Sequence, residues 1–416
     1  MRAFGVGIGT PFRVFIRDRA MKKILWIVGR IPSPLFSGDA LYSAGILTAL
    51  SRTGQTEVTV IGCRREDAPV EDRLLRLPGT VFPEAPWPRR LGIRSLLTSS
   101  PRDAYCLAPP SIGTTLAELL NQHWDWIVFD HARSGALLPM VLKQRKRALI
   151  CYLAHNAEGK IRPAIANDFT NPLRRAIMRW DAEKYRRLEQ RIVDAADSIL
   201  CITDADAAHF AQPGKTTFVV PPIYLGAAAP SDRIESTRPK SILLLGSFEW
   251  VAKQRNLEHI IGTLLPPLKR QNVTLDVVGN VPEDIKARYA HERPHLVFHG
   301  PVADLANVLA RSRAGLVAET LGGGFKLKLL DYAFARLPIF GLRAAVDGTT
   351  ADEQSAMYLA DTMDDLAKTI VDGIDDLAGL NRNQTKLFEL MSNRFGLEQG
   401  TRRLLDILVQ KAGAAP

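Results

Sequence analysis

From Lys23 onward the chain alternates short runs of Ile, Val and Leu with longer amphipathic stretches, the pattern of a parallel sheet wrapped by helices. The runs at 24–29, 58–63, 126–131, 148–154, 198–203 and 217–221 are almost continuously apolar, which suits strands covered on both faces. A second set, at 242–248, 274–279, 296–300, 315–318 and 338–341, follows the small-residue and proline segment 227–231. The pattern predicts an α/β chain with two doubly wound, Rossmann-like parallel-sheet domains in series. Their expected bounds are 22–226 and 227–392, with 1–21 as a leader or mis-called start. No repeat of 20–50 residues breaks this scheme.

Length and composition agree. At 416 residues, 46% hydrophobic and 24% charged, the chain reads as an ordinary soluble globular protein too long for one core. Cys63, Cys106, Cys151 and Cys201 show no metal-ligand spacing and read as buried thiols in a reducing compartment. No apolar run approaches the roughly 18 residues of a membrane-spanning helix. In the first twenty residues, Arg13, Arg17, Asp18 and Arg19 interrupt what would be the apolar core of a signal peptide. The run Gly5-Val6-Gly7-Ile8-Gly9 has no strand before it, so it is no dinucleotide fingerprint.

Charge changes the picture. The net charge is +10, and residues 1–220 hold 31 basic against 21 acidic side chains, so the whole excess lies in the first half. A positive field favours a nucleic acid or an anionic membrane surface. The longest helical pattern, 171–196, places Leu173, Ile177, Trp180, Tyr185, Leu188 and Ile192 on one stripe, with arginines from Arg174 to Arg191 on the other faces. One reading is a solvated face laced with Asp181, Glu183 and Glu189; the other is a membrane-docking face. The latter expects the stripe to be buried and the arginines outward, joined by Pro86-Trp87-Pro88-Arg89-Arg90 and Arg94.

In open parallel sheets ligands bind beyond the carboxyl ends of the strands. Three such segments carry candidate chemistry. After the strand near Ala318, Gly322, Gly323 and Gly324 precede Phe325, Lys326 and Lys328, with Asp331 about two turns into the expected helix. Glycines admit a close ligand, a helix N-terminus offers free N–H groups, and lysines add full charge, which together suit a diphosphate; Asp331 suits a sugar diol. After the first strand of the second domain come Gly246 and Ser247, then Lys253 and Arg255, which suit a phosphate. After the first strand of the chain, Gly38 opens a helix near Ala40, at the end of a proline-rich loop facing the cleft.

The succession of Gly38, His131, Ala154-His155-Asn156-Ala157-Glu158, the Gly-Ser-Phe-x-Trp turn, and Gly-Gly-Gly-Phe-Lys-Leu-Lys-Leu-Leu-Asp with Leu337-Pro338 resembles bacterial GT-B glycosyltransferases of the family 4 type. The likeness runs from about Lys22 to the end. It implies a nucleotide-diphosphate-sugar donor on the C-terminal domain, an acceptor on the N-terminal domain, and a helix at 393–416 that crosses back to the first domain. By that likeness Asp331 takes the place of the ribose-binding Glu. Lys253, Lys326 and Lys328 look like phosphate ligands, and His299 belongs to the segment beside the base. The sequence departs from the family in one place. Many members carry a Glu eight residues before the ribose-binding acid, where Gly323 stands here, and Glu319 lies too far back to match it.

His131 resembles the cleft histidine that contacts donor sugar or phosphate. His155 and Glu158 follow the next strand, and Glu158 suits an acceptor base if the reaction inverts or a holder of acceptor hydroxyls if it retains. The favoured reading is a glycosyltransferase acting with retention on a lipid-linked or polysaccharide acceptor, as in exopolysaccharide biosynthesis. It would be cytoplasmic and peripheral to the inner membrane, with an anionic membrane surface and no nucleic acid as partner. It would use no cofactor and no metal, since Asp204-x-Asp206 sits at a helix start where carboxylates favour the dipole. A sugar-nucleotide 2-epimerase, or a non-catalytic nucleotide-sugar or nucleic-acid binder, is the alternative.

Overall fold

The computed structural model describes residues 21–32, 38–64, 77, 79–81, 92–167, 169–226, 231–249, 251–302, 304–320 and 325–412. Two parallel sheets organise them. The first contains β1 (Lys22–Arg30), β2 (Thr56–Cys63), β3 (Thr80–Val81), β4 (Trp126–Asp130), β5 (Leu149–Ala154), β6 (Ser198–Cys201) and β7 (Thr216–Val219), in the order β3-β2-β1-β4-β5-β6-β7. The second contains β8 (Ser241–Leu245), β9 (Thr274–Val278), β10 (Leu296–Gly300), β11 (Ala314–Val317), β12 (Ile339–Leu342) and β13 (Tyr358–Ala360), in the order β10-β9-β8-β11-β12-β13.

Each sheet reverses its winding once, between β1 and β4 in the first and between β8 and β11 in the second. At such a point the connections leave to opposite faces, so a crevice opens at the carboxyl ends of the two central strands. The central strands are apolar on both faces because helices cover both: β1 buries Ile24 through Val28, and β8 buries every residue. β3 and β13, two and three residues long, are edge strands with too few apolar positions to register as runs in the sequence.

The chain passes from β7 to β8 through residues 220–240 and returns near the end. Helix Leu377–Phe395 packs on helix Lys328–Phe334, and helix Leu397–Ala412 packs on helix Gly38–Arg52. The sequence places a single helix from 393; instead the first of these ends at Phe395, and Gly396 takes an extended conformation that starts a second helix at Leu397. Leu404 and Ile407 of that second helix enter the core under β1 and β2.

The long helix spans Pro172–Ala195, with the Asn171 side chain accepting from the Arg174 N–H as its cap. Only its second half uses the expected stripe: Tyr185, Leu188 and Ile192 are buried, whereas Leu173, Ile177 and Trp180 are exposed. The expectation of a fully buried stripe fails in the first turns, where no residue from 171 to 180 is buried. Residues 86–90 lie outside the described residues. Cys63, Cys151 and Cys201 are buried and Cys106 is half-buried, and none of the four is in a disulfide. Among the described residues no helix is long and apolar enough to cross a membrane.

Candidate functional site

The first sheet brings three chain segments to its crevice. β4 ends at Asp130, which is fully buried with both carboxylate oxygens engaged: Trp26 Nε1 donates to Oδ2 at 2.8 Å, and His155 Nε2 lies 2.6 Å from Oδ1. Two donors on one carboxylate repay the cost of burying it. His155 also meets Tyr42 edge-on, with ring centroids 5.0 Å apart. Its Nε2 is therefore committed to Asp130, so its contribution is to hold the end of β4.

His131 follows with φ 68° and ψ 148°, a region few residues other than glycine occupy. Strain of this kind costs on the order of 1–3 kcal/mol and persists only where surrounding structure imposes it. Nδ1 accepts from the Arg133 N–H at 3.3 Å, which places the ring proton on Nε2, 3.4 Å from Glu158 Oε1. Burial, reinforced by Arg133, His155 and Arg162, holds the His131 pKa well below the ordinary histidine value. The imidazole is neutral.

Glu158 opens the helix Glu158–Asn167 and is itself buried, with Oε2 accepting from Arg162 Nε at 2.6 Å. Glu189 supports that helix start: Oε1 accepts from the Glu158 N–H at 3.1 Å and from the Tyr152 hydroxyl at 2.8 Å, and Oε2 accepts from the Gly159 N–H at 2.7 Å. These bonds favour its ionised form, yet burial outweighs them and pushes its pKa up to about 7.

Helix Gly38–Arg52 begins two residues earlier than the sequence indicates. Asp39 forms an ion pair with Arg133, two residues past His131. Arg133 passes directly over Gly29 at the end of β1, where a β-carbon would stand 2.9 Å from its Cδ. A glycine at this position lets the guanidinium link β4 to the helix of Gly38. Gly38 in turn faces the second sheet: a β-carbon there would lie 3.2 Å from Cδ1 of Leu327.

Leu327 sits between Lys326 and Lys328, so the two sheets meet at the second cluster. Helix Lys328–Phe334 is fixed to the crevice by Tyr332, whose hydroxyl donates to the Leu243 carbonyl at 2.8 Å and accepts from the Leu245 N–H at 2.9 Å. Glu319, just beyond β11, pairs with Lys328, while its Oε2 is buried with no hydrogen-bond partner. Asn256 Oδ1 accepts from both the N–H and the hydroxyl of Thr320 at 3.1 Å, tying this loop to helix Val251–Arg270, which carries Lys253 and Arg255.

Burial lowers the pKa of Lys326, and the charges of Lys328 and Lys253 lower it further. Lys253 is exposed, yet partial desolvation and the charge of Lys328 lower its pKa too, against the carboxylates of Glu319 and Glu249. Lys253, Lys326 and Lys328 thus gather around Glu319, with Asp347 near Lys326 and Glu249 near Lys253. Desolvated ammonium groups that repel one another gain by accepting an anion.

Asp331 lies in the first turn of its helix, because the helix starts at Lys328 and not near the glycines. Burial raises its pKa to about 6, against the Tyr224 hydroxyl bond and the Lys328 charge that lower it. Ser247 Oγ donates to Glu249 Oε2 at 3.2 Å, and Gly246 N–H donates to the Val278 carbonyl at 3.0 Å. His299, exposed at the end of β10, lies 2.9 Å through Nε2 from Asp276 Oδ1. Phe325 stacks on Phe395, and Arg255 is exposed. Gly322, Gly323 and Gly324 lie outside the described residues.

The structure therefore joins Gly38, His131 and Glu158 on one side and Lys253, Lys326, Lys328 and Asp331 on the other. Sequence reasoning missed Asp39, Arg133, Asp130, Glu189 and Tyr224, which act through pairings distant in the chain. It also set Glu319 aside on spacing, although the loop after β11 folds its carboxylate onto Lys328. Among the described residues no group of three His, Cys, Asp or Glu side chains is placed to hold a metal ion.

Residues 239–376 match the family model described as glycosyl transferases group 1. No curated protein matches the chain. Solved structures match over nearly its whole length. HepE of Anabaena, in complex with UDP and glucose, aligns with a TM-score of 0.65 at 14% identity, covering 94% of this chain and 100% of its own. A glycosyltransferase from Rickettsia africae aligns at 0.62 and 12% identity, covering 95% and 100%. The lipopolysaccharide outer core galactosyltransferase WaaB aligns at 0.57 and 13%, covering 94% and 99%. The two-sheet architecture is the GT-B fold of these structures, and residues 239–376, which hold the second sheet, resemble glycosyl transferases group 1.

Proposed function

We propose that this protein is a glycosyltransferase that moves a sugar, with retention, from a nucleotide-diphosphate-sugar donor to a lipid-linked or saccharide acceptor at an anionic membrane surface. The observation that carries this reading is the convergence of Lys253, Lys326 and Lys328 at the crevice of the second sheet, where burial already disfavours two of the three charges. A diphosphate adds negative charge beside these desolvated ammonium groups. Asp331, one turn along the helix, is placed for a ribose diol, and His299 for the base.

His131 meets the donor from the opposite side. Its neutral ring keeps a proton on Nε2 and donates to a phosphate or sugar oxygen without adding charge. Charge developing on the leaving diphosphate is met by the fixed lysines, and such preorganised stabilisation is the largest contribution in many enzymes. Glu158, oriented by Arg162 and by Glu189 beneath it, holds acceptor hydroxyls, and His155 keeps the end of β4 in place. The residues require neither a metal ion nor a further cofactor for these roles.

The test is a thermal-shift panel of UDP-, GDP- and dTDP-sugars. A donor that binds the native state alone raises the melting temperature by mass action, by about 2.7 kcal/mol of stability at a hundredfold excess over its dissociation constant. A shift with one base and none with the others supports the reading; no shift with any of them overturns it.

A further inference from the structure

Six of the eight exposed large hydrophobic side chains among the described residues occupy two adjoining segments of the first domain. In the turn Gly92–Leu97, Ile93 and Leu97 are 71% and 91% exposed, with Leu96 beside them. In helix Pro172–Ala195, Leu173 is 69% and Trp180 53% exposed, with Ile177 between them. Leu173, Ile177 and Trp180 stand at i, i+4 and i+7 and share one face. Lys184 joins the two segments: Nζ donates to the Ser95 carbonyl at 2.7 Å and lies 5.4 Å from the centre of the Trp180 ring.

The charge here is mainly positive, the adjoining Asp181 being engaged by the Arg102 N–H at 2.8 Å. Arg94, Arg174, Arg175 and Arg179 flank these side chains, and residues 92–100 and 171–180 contain no acid. Further along the helix, Arg186 and Arg187 are neutralised by Glu183. The unpaired positive charge is thus concentrated where the apolar side chains are bare, and apolar patches of this kind mark interaction sites.

We infer that this prominence inserts into an anionic lipid leaflet, with Leu97, Ile93, Leu173, Ile177 and Trp180 entering the acyl boundary and the four arginines on the headgroups. A bilayer complements both features at once, apolar below and anionic at the rim, and Trp is enriched at that depth. The inference rests on the proposed lipid-linked acceptor and deepens it. Helix Glu158–Asn167 runs from the site to the prominence, where Asn167 Oδ1 accepts from Arg179 Nε at 2.9 Å. A ten-residue helix is about 15 Å long, so the cleft stands within that distance of the leaflet.

The test is flotation of the full chain with phosphatidylcholine vesicles with and without phosphatidylglycerol, over a salt series. Wild type is expected to bind the anionic vesicles and to keep part of that binding at high salt, because insertion is not screened. Leu97→Ser with Ile177→Ser should lower the partition roughly tenfold or more. Arg174→Glu with Arg179→Glu should remove the preference for anionic lipid. Trp180 fluorescence should shift to the blue on binding, and Trp180→Phe should abolish that shift.

No partition, or equal partition of wild type and the serine variant, overturns the inference. So does a wild-type dimer that the serine variant dissolves, which would assign the surface to a second copy of the chain. UDP-sugar melting shifts on the same variants report the donor site separately, so loss of vesicle binding with the shifts intact leaves the proposed reaction standing.

Discussion

Gly38 and Leu327 face each other across the crevice, where a β-carbon added to the first would lie 3.2 Å from Cδ1 of the second. One methyl group can be accommodated by a turn of the leucine side chain, but a branched side chain cannot. Gly38→Ala should therefore keep most activity. Gly38→Val should hold the two sides apart and lower kcat/KM about tenfold or more while the melting temperature moves by only a few degrees. Steady-state kinetics beside calorimetry check both outcomes.

Lys328 is paired with Glu319, so its removal does two things. Lys328→Ala should weaken nucleotide-diphosphate binding by about 1.5–3 kcal/mol through the lost charged contact. It should also destabilise the fold by about 1–3 kcal/mol, because Glu319 is left without its partner. Adding Glu319→Gln should restore the stability and leave binding weak. Titration calorimetry and urea denaturation of the single and double variants separate the two effects.

His131 carries a backbone conformation suited to glycine. His131→Gly should melt at or above the wild-type temperature, since relief of roughly 1–3 kcal/mol of strain offsets the lost ring contacts. Its turnover should fall about a hundredfold or more with the loss of the Nε2 donor. A variant that melts lower and stays active contradicts the assignment.

Glu189 gives the fold a pH dependence. Its pKa is raised to about 7 in the folded protein, so the folded state binds its proton more tightly than the unfolded chain does. The stability this contributes is complete below the ordinary glutamate value near 4.3 and is lost as pH rises to about 7. Relative to Glu189→Gln, wild type should lose about 3 kcal/mol between pH 4 and pH 8. Denaturant midpoints of the two proteins across that range measure the difference.

The sheets were legible because their central strands are buried on both sides and read as apolar runs. The edge strands Thr80–Val81 and Tyr358–Ala360 carry too few such positions to be seen. Lys253, Lys326, Lys328 and Asp331 stood out because they lie in the segments that leave the carboxyl ends of β8 and β11. Asp39 with Arg133, Glu158 with Glu189, and Asp331 with Tyr224 were not, since each pair is made by the winding of the sheet or by the passage between domains. Periodicity alone did not reveal where the long helix outruns its support, and so missed the exposure of Leu173, Ile177 and Trp180.

The two passages of chain between the sheets lie side by side, joined by the Tyr224 N–H donating to the Phe395 carbonyl at 2.9 Å. Two adjacent crossings define a hinge axis. Rotation about that line keeps the bond, whereas sliding one sheet past the other would break it, so opening and closing reduce to one angle. The Tyr224 ring stacks on Phe334, and its hydroxyl meets Asp331. The line of crossing therefore runs beside a side chain of the proposed donor site.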